Sequence, residues 1–215
     1  MIKGCIFDMD GTLLDSNGAW ERAAVRFLCA NGIKPTESLA KIMFPMTIQQ
    51  TADYCRDTFG LALSQQQVID DINSIMDVYY RTEVQCKPGA QQLLQALAEK
   101  GLPMAVASVT DRPLVQAALQ HTGIAEYFCG ITTTTEVGVG KQKPDVYLAA
   151  AELIGAQPGE VIVFEDALHG LNTARAAGFL TAAMADAAEP ETADEMRRTC
   201  DYFMRRLTEF PTESI

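Results

Sequence analysis

Histidine is scarce in this chain, and cysteine motifs of the metal-binding or redox kind are absent. His121 and His169 are the only histidines, and none of the six cysteines forms a C-x-x-C pair. Neither a zinc-type ligand set nor a dithiol redox centre is therefore encoded. Cys5, Cys29, Cys55, Cys86, Cys129 and Cys200 are spread along the chain and are expected to be reduced and mostly packed. Basic residues are also in deficit: 17 Lys and Arg stand against 28 Asp and Glu, for a formal charge of -11 and a pI near 4.6. Nucleic acid and anionic membranes require a basic face, so the charge balance argues against both as partners. It leaves room for a small anionic substrate, because a few lysines, main-chain N–H groups and a metal ion suffice to bind one locally. No apolar run approaches the ~20 residues that span a bilayer. No apolar h-region of the signal-peptide kind precedes the first strand-like run, and a cytoplasmic enzyme is expected.

What the sequence does contain is an alternation of short apolar β-rich runs and helical periodicities. Strands are predicted over 2–7, 103–107, 128–132, 161–164 and, more weakly, 180–183; helices over 88–100, 112–122, 145–154 and 168–177. Such alternation implies an α/β fold with a mainly parallel sheet, whose ligands bind outside the carboxyl ends of the strands. Residues 17–85 break the pattern with amphipathic helices over 19–31, near 37–43, over 48–59 and over 64–80. The expected organisation is a core of 1–16 and 86–215 with an inserted α-helical cap domain of 17–85. Lys87-Pro88 disfavours helix continuation where the chain re-enters the core. One more helix, near 193–207, and a frayed end are expected in the tail.

The first strand runs into Phe7-Asp8-Met9-Asp10-Gly11-Thr12. Two carboxylates at this spacing are compatible with a simple turn. They also suit phosphoryl chemistry: a carboxylate attacks phosphorus to form an aspartyl-phosphate, splitting one difficult displacement into two easier ones. A neighbouring acid protonates the leaving alkoxide and then activates water. Gly11 permits the tight backbone, whose N–H groups are candidates to cradle phosphate oxygens. Ser108 ends the second strand, and Phe164-Glu165-Asp166 ends the fourth. Taken singly, Ser108, Glu165 and Asp166 are also candidate helix caps.

Phe7-Asp8-Met9-Asp10-Gly11-Thr12-Leu13-Leu14-Asp15-Ser16 resembles the signature of the haloacid dehalogenase-like superfamily, in its phosphatase and phosphomutase branch. Ala107-Ser108, Lys141-Gln142-Lys143-Pro144-Asp145 and Phe164-Glu165-Asp166-Ala167 resemble its later motifs in order. The resemblance implies a Rossmann-like core and a small phosphorylated metabolite as substrate, handled by a monomer or weak homodimer. It implies Asp8 as nucleophile, Asp10 as acid and base, and Ser108 and Lys141 on the transferring phosphoryl group. Met9, Gly11, Thr12 and Val109 are expected around the substrate. Asp8, the Asp10 carbonyl and Asp166 are expected to hold Mg²⁺, which takes near-octahedral oxygen ligands; Glu165 either joins them or orients a neighbour. Gln142 stands where the family pattern has Pro and leaves Lys143 as a competitor to Lys141, and Val109 stands where many phosphatases carry Asn.

Hydrolysis of a phosphate monoester, of the sugar phosphate or phosphoglycolate type, leads. A β-phosphoglucomutase-like phosphomutase is the alternative; the segment 43–47 lacks the Gly and Arg expected of such an enzyme's specificity loop. Asp10 argues against a haloacid dehalogenase, and the intact acidic set argues against a non-catalytic binding protein. Trp20, Phe44 and Met46 are expected to pack in the helical insert. Arg22, Lys41 and Arg56 are expected on solvated helix faces or at a second anionic group of the substrate, and His169 is a candidate for the pocket edge.

Overall fold

A strand covered on both faces reads as an unbroken apolar run. Gly4–Phe7 is such a run and forms β1, with Cys5, Ile6 and Phe7 fully buried. The computed structural model describes residues 1–36, 39–43, 46–185 and 190–215. After β1 come helices α1 (Ala19–Ala30), α2 (Leu39–Met43), α3 (Ile48–Phe59), α4 (Gln65–Thr82) and α5 (Ala90–Glu99). Strands and helices then alternate: β2 (Met104–Ser108), α6 (Arg112–His121), β3 (Phe128–Thr133), α7 (Thr134–Val137), α8 (Asp145–Ile154) and β4 (Val161–Glu165). The chain ends through α9 (Leu168–Ala176), β5 (Leu180–Met184), α10 (Pro190–Thr199) and β6 (Tyr202–Met204). It divides into two compact units, one of Met1–Asp15 with Val84–Ile215 and the other of Ser16–Glu83.

In the first unit the strands form one parallel sheet in the order β3-β2-β1-β4-β5-β6. The order reverses between β1 and β4, which is where an open α/β sheet leaves a crevice at the strands' carboxyl ends. Register determines what faces that crevice. Phe7 pairs with Val106 on one side and Phe164 on the other, so Asp8 and Glu165, one residue beyond, and Ser108, two residues beyond, emerge at the same end of the sheet. The Phe7 and Phe164 rings stack at 4.3 Å, fixing the two central strands against each other. At the edge of this unit the outgoing and returning chain run side by side: Asp15 N–H donates to the Gln85 carbonyl at 2.9 Å and Lys87 N–H to the Leu13 carbonyl at 2.8 Å.

The second unit is helical among its described residues. Reciprocal capping boxes, Thr47 with Gln50 and Ser64 with Gln67, open α3 and α4; each satisfies orphan N–H groups at the helix start. Val68, Ile72, Met76 and Tyr80 recur every fourth residue of α4 and are buried, the spacing that places side chains on one helix face. Trp20 and Met46 are half-buried, and Arg22 is exposed and donates to the Asn17 carbonyl at 3.1 Å. Arg56 is tied down within the unit by the Leu63 carbonyl at 2.8 Å and by Asp53 at 3.3 Å. Phe44, the Lys41 side chain and the first residues of the helix expected near 37–43 lie outside the described residues.

The tail departs from expectation. In place of a helix over 193–207, α10 stops at Thr199 and the chain adds β6 parallel to β5. Asp201 makes the turn: its carboxylate accepts from Thr181 N–H at 2.8 Å and Thr181 Oγ1 at 3.1 Å, while its own N–H donates to the Thr181 carbonyl at 3.0 Å. A three-residue strand is too short for period-two alternation to register against the helical pattern before it. Nor is the end frayed. Leu207 and Phe210 are buried, and the Phe210 ring lies 4.8 Å from that of Phe164 and 5.1 Å from that of Tyr202.

Candidate active site

Asp8 is the first residue beyond β1, and its N–H donates to the Phe164 carbonyl at 2.9 Å, carrying the β1–β4 ladder up to the site. The loop that follows folds back on itself. The Met9 carbonyl accepts from the N–H groups of Leu13 and Leu14, each at 3.0 Å, and Gly11 N–H donates to the Leu14 carbonyl at 3.0 Å. Gly11 sits at φ 79°, a left-handed conformation that costs other residues roughly 1–2 kcal/mol. This return brings Thr12 back onto Asp8: the fully buried Thr12 hydroxyl lies 3.3 Å from Asp8 Oδ2 and 3.5 Å from Asp166 Oδ1. The Met9 side chain is fully buried, leaving its main chain as the part that shapes the loop.

Lys141 reaches the site from the loop after α7. Its buried ammonium donates to Asp8 Oδ1 and, at 2.5 Å, to Glu165 Oε1. Lys143 and Gln142 are exposed. Glu165 ends β4 almost fully buried, and its hydrogen bonds are distributed over both oxygens: Tyr147 Oη donates to Oε1 at 2.8 Å, and Ala167 N–H donates to Oε2 at 3.2 Å. Tyr147, from α8, is fully buried and was not expected here; in sequence it reads as a core aromatic on the apolar face of its helix. Gly170 on α9 makes the closeness possible. A Cβ at Gly170 would lie 2.7 Å from Glu165 Oε1 and 2.8 Å from Tyr147 Oη.

Three carboxyl groups, those of Asp8, Glu165 and Asp166, present oxygens within 4.8 Å of one another. Lys141 pairs with Asp8 and Glu165, so the three carboxyls outnumber this paired cation. The consequence is visible in the acids. Burial, with Glu165 and Asp166 adding to it, pushes the Asp8 carboxyl well above the ordinary range even though Lys141 opposes it. Burial and then Glu165 push Asp166 up to about 7. For Lys141 burial acts downward, but Asp8 and Glu165 outweigh it and hold the ammonium above its ordinary range. Burial and Glu165 likewise raise the Tyr147 phenol, so it stays protonated and remains a donor.

Asp10 stands apart from the three-carboxylate group. Its Oδ2 accepts from the Thr110 hydroxyl at 2.8 Å. Thr110 in turn belongs to the loop beyond β2, where its N–H donates to the Oγ of the fully buried Ser108 at 3.0 Å. Thr110 was not anticipated from the sequence, although its place two residues beyond Ser108 is a signal in retrospect. Val109, between them, is exposed, as are both His121 and His169. Asp111 rather than Ser108 occupies the position that caps α6. The arrangement is chemically specific: a buried carboxylate paired to a lysine, a second carboxylate two residues on with its own donor, and an acidic surplus suited to a divalent cation.

A model of the haloacid dehalogenase-like hydrolases matches residues 2–178. Hexitol phosphatase A of Escherichia coli is 33% identical over 82% of this chain and 80% of that protein. The fructose-1-phosphate phosphatase YqaB of Escherichia coli is 29% identical over 81% of this chain and 92% of its own length. Among solved structures, CbbY from Rhodobacter sphaeroides in complex with phosphate superposes with a TM-score of 0.80 at 22% identity, covering 98% of this chain and 97% of that one. At that identity the last of these speaks for the fold.

Proposed function

The chain belongs to the haloacid dehalogenase-like hydrolase family, and on that premise we propose that it is a Mg²⁺-dependent phosphatase of sugar or polyol phosphates with Asp8 as its nucleophile. The observation that carries this reading is the buried network joining Asp8 to Lys141 and Glu165 at the carboxyl ends of β1 and β4. Lys141 balances one of the acids, holds Asp8 in place and offers its charge to the incoming phosphoryl oxygens. Ser108 adds a neutral hydroxyl for the same group. As Asp8 forms its bond to phosphorus, the ester P–O bond breaks and Asp10 gives a proton to the departing alkoxide oxygen. Asp10 then takes a proton from the water whose oxygen displaces Asp8 from phosphorus.

The charge surplus supports a divalent cation at this site, and Asp8 and Asp166 are the side chains proposed to hold it, with the Asp10 carbonyl. Glu165, occupied by Lys141, Tyr147 and Ala167, is assigned to orienting Lys141. When bound, Mg²⁺ offsets negative charge on the transferring oxygens. In this reading the helical unit Ser16–Glu83 is the cap that selects the ester. The test is phosphate release from a panel of sugar and polyol phosphates with Mg²⁺, run beside Asp8→Asn. A ranked set of turned-over esters and a folded, inactive variant are expected. Near-normal release by Asp8→Asn would overturn the assignment.

A further inference from the structure

The hydrogen bond between Thr110 and Asp10 joins two loops that the sheet places side by side. Asp10 lies in the turn after β1, whereas Thr110 lies in the turn after β2, a hundred residues further on in sequence. Thr110 is itself well anchored. It is buried, and its N–H donates to Ser108 Oγ at 3.0 Å, so its hydroxyl reaches Asp10 from a backbone that is already held. An acid that must serve first as proton donor and then as proton acceptor needs a partner that tolerates both states. A threonine hydroxyl meets that requirement, because it donates to a carboxylate and, by rotating, accepts from a carboxylic acid. A lysine or a main-chain N–H would favour only the ionised form.

We propose that Thr110 is a positioning residue for Asp10, holding its carboxyl where the leaving-group oxygen departs and the attacking water arrives. The proposal rests on the phosphatase reading above, in which Asp10 protonates the leaving alkoxide as the ester bond to phosphorus breaks. Loss of the Thr110 hydroxyl leaves Asp8, Lys141 and the phosphoryl group untouched but removes a 2.8 Å bond that sets where the Asp10 carboxyl points. Misplacement of a catalytic group by about 1 Å costs on the order of a hundredfold in rate.

The discriminating variable is the leaving group. An alkyl phosphate needs a proton on the departing oxygen, whereas 2,4-dinitrophenyl phosphate departs as a stable phenolate without one. The quantity to compare is kcat/KM, which reports the steps through transfer to Asp8. Thr110→Val keeps the shape and the main-chain bond to Ser108; Thr110→Ser keeps the hydroxyl. For Thr110→Val we expect a loss of about tenfold to a hundredfold with the best alkyl phosphate of the panel and under about threefold with the dinitrophenyl ester. Thr110→Ser is expected to stay within about threefold of wild type on both esters. Equal losses on the two esters, no loss on the alkyl ester, or a serine variant as poor as the valine would each overturn the proposal. Asp8→Asn, run in parallel, separates the two readings: it should abolish turnover of both esters, and retained dinitrophenyl turnover would indict the nucleophile rather than Thr110.

Discussion

Replacing Gly170 with alanine sets a helix preference against a steric conflict, and the structure says which should prevail for which property. Gly170 lies within α9, where alanine is favoured over glycine by about 1 kcal/mol. Against this, the added Cβ would lie 2.7 Å from Glu165 Oε1, 2.8 Å from Glu165 Cδ and 2.8 Å from Tyr147 Oη, whereas ordinary contact begins near 3.4 Å. None of these atoms is free to swing aside. Glu165 is held by Lys141 and Ala167, and Tyr147 is fully buried, its ring 6.3 Å from that of Phe179. Overpacking of this kind costs typically about 1–3 kcal/mol, so the net change in stability should fall near 0–2 kcal/mol, or up to about 8 °C in Tm for a chain of this size. Activity should suffer more, because Glu165 moves Lys141 and Lys141 moves Asp8; a displacement of several tenths of an ångström is expected to lower kcat/KM by about ten- to a hundredfold. The assay pairs thermal unfolding with initial rates on one phosphate ester. Activity within twofold of wild type would refute the claim that Glu165 and Lys141 transmit position to Asp8.

Other expectations follow from the charge surplus and from the tail. Asp8 and Asp166, the ligands proposed, are both raised by burial, Asp166 to about 7, and both must be ionised for a cation to bind, so Mg²⁺ affinity measured by calorimetry should fall by about tenfold or more per pH unit below 7. By the same sign, the cation-free native site keeps a proton that the unfolded chain releases between about pH 4 and 7. The contribution of Asp166 to stability is therefore expected to decline as pH rises through that window, and the Mg²⁺-induced rise in Tm should be larger at pH 8 than at pH 5.5. Lys141→Met removes the cation paired with Asp8 and Glu165 in a buried acidic cluster and should cost about 3–5 kcal/mol in denaturant titrations at pH 8, with a smaller loss at pH 5, where protonation relieves the acids. Phe210→Ala should cost about 3–5 kcal/mol, since its buried ring packs on Phe164, the residue before Glu165; a loss under about 0.5 kcal/mol, the size typical of an exposed site, would contradict the docked tail.

Much of the fold was legible because local signals and tertiary structure agree. The runs through Phe7, Val106 and Phe164 are apolar without interruption because each strand is covered on both faces, and Ser64 and Thr47 announce their helices through capping chemistry that is local in sequence. Strand ends were legible for the same reason, and with them the neighbourhood of Asp8, Ser108 and Glu165. What escaped depends on contacts distant in sequence. Nothing around Tyr147 distinguishes a phenol that donates to Glu165 from one that merely fills the core. Thr110 gains its role only when parallel pairing brings the β2 turn beside Asp10. Likewise β6 is a strand because Thr181 and Asp201 align it, not because three residues carry a pattern. The physical reason for Gly170, space for two buried polar side chains, lies in contacts with Glu165 and Tyr147 that sequence order does not show.

A covalent bond between phosphorus and Asp8 is the step on which the proposed phosphatase cycle depends, and it can be trapped. The protein is mixed with a ³²P-labelled ester of the best substrate and Mg²⁺, quenched in acid within the first turnover, digested, and its labelled peptide sequenced. An acid-stable, hydroxylamine-sensitive label is expected on the peptide carrying Asp8, absent from Asp8→Asn. A label on any other residue would contradict that cycle, and so would complete single-turnover release of phosphate with no labelled protein at any time point.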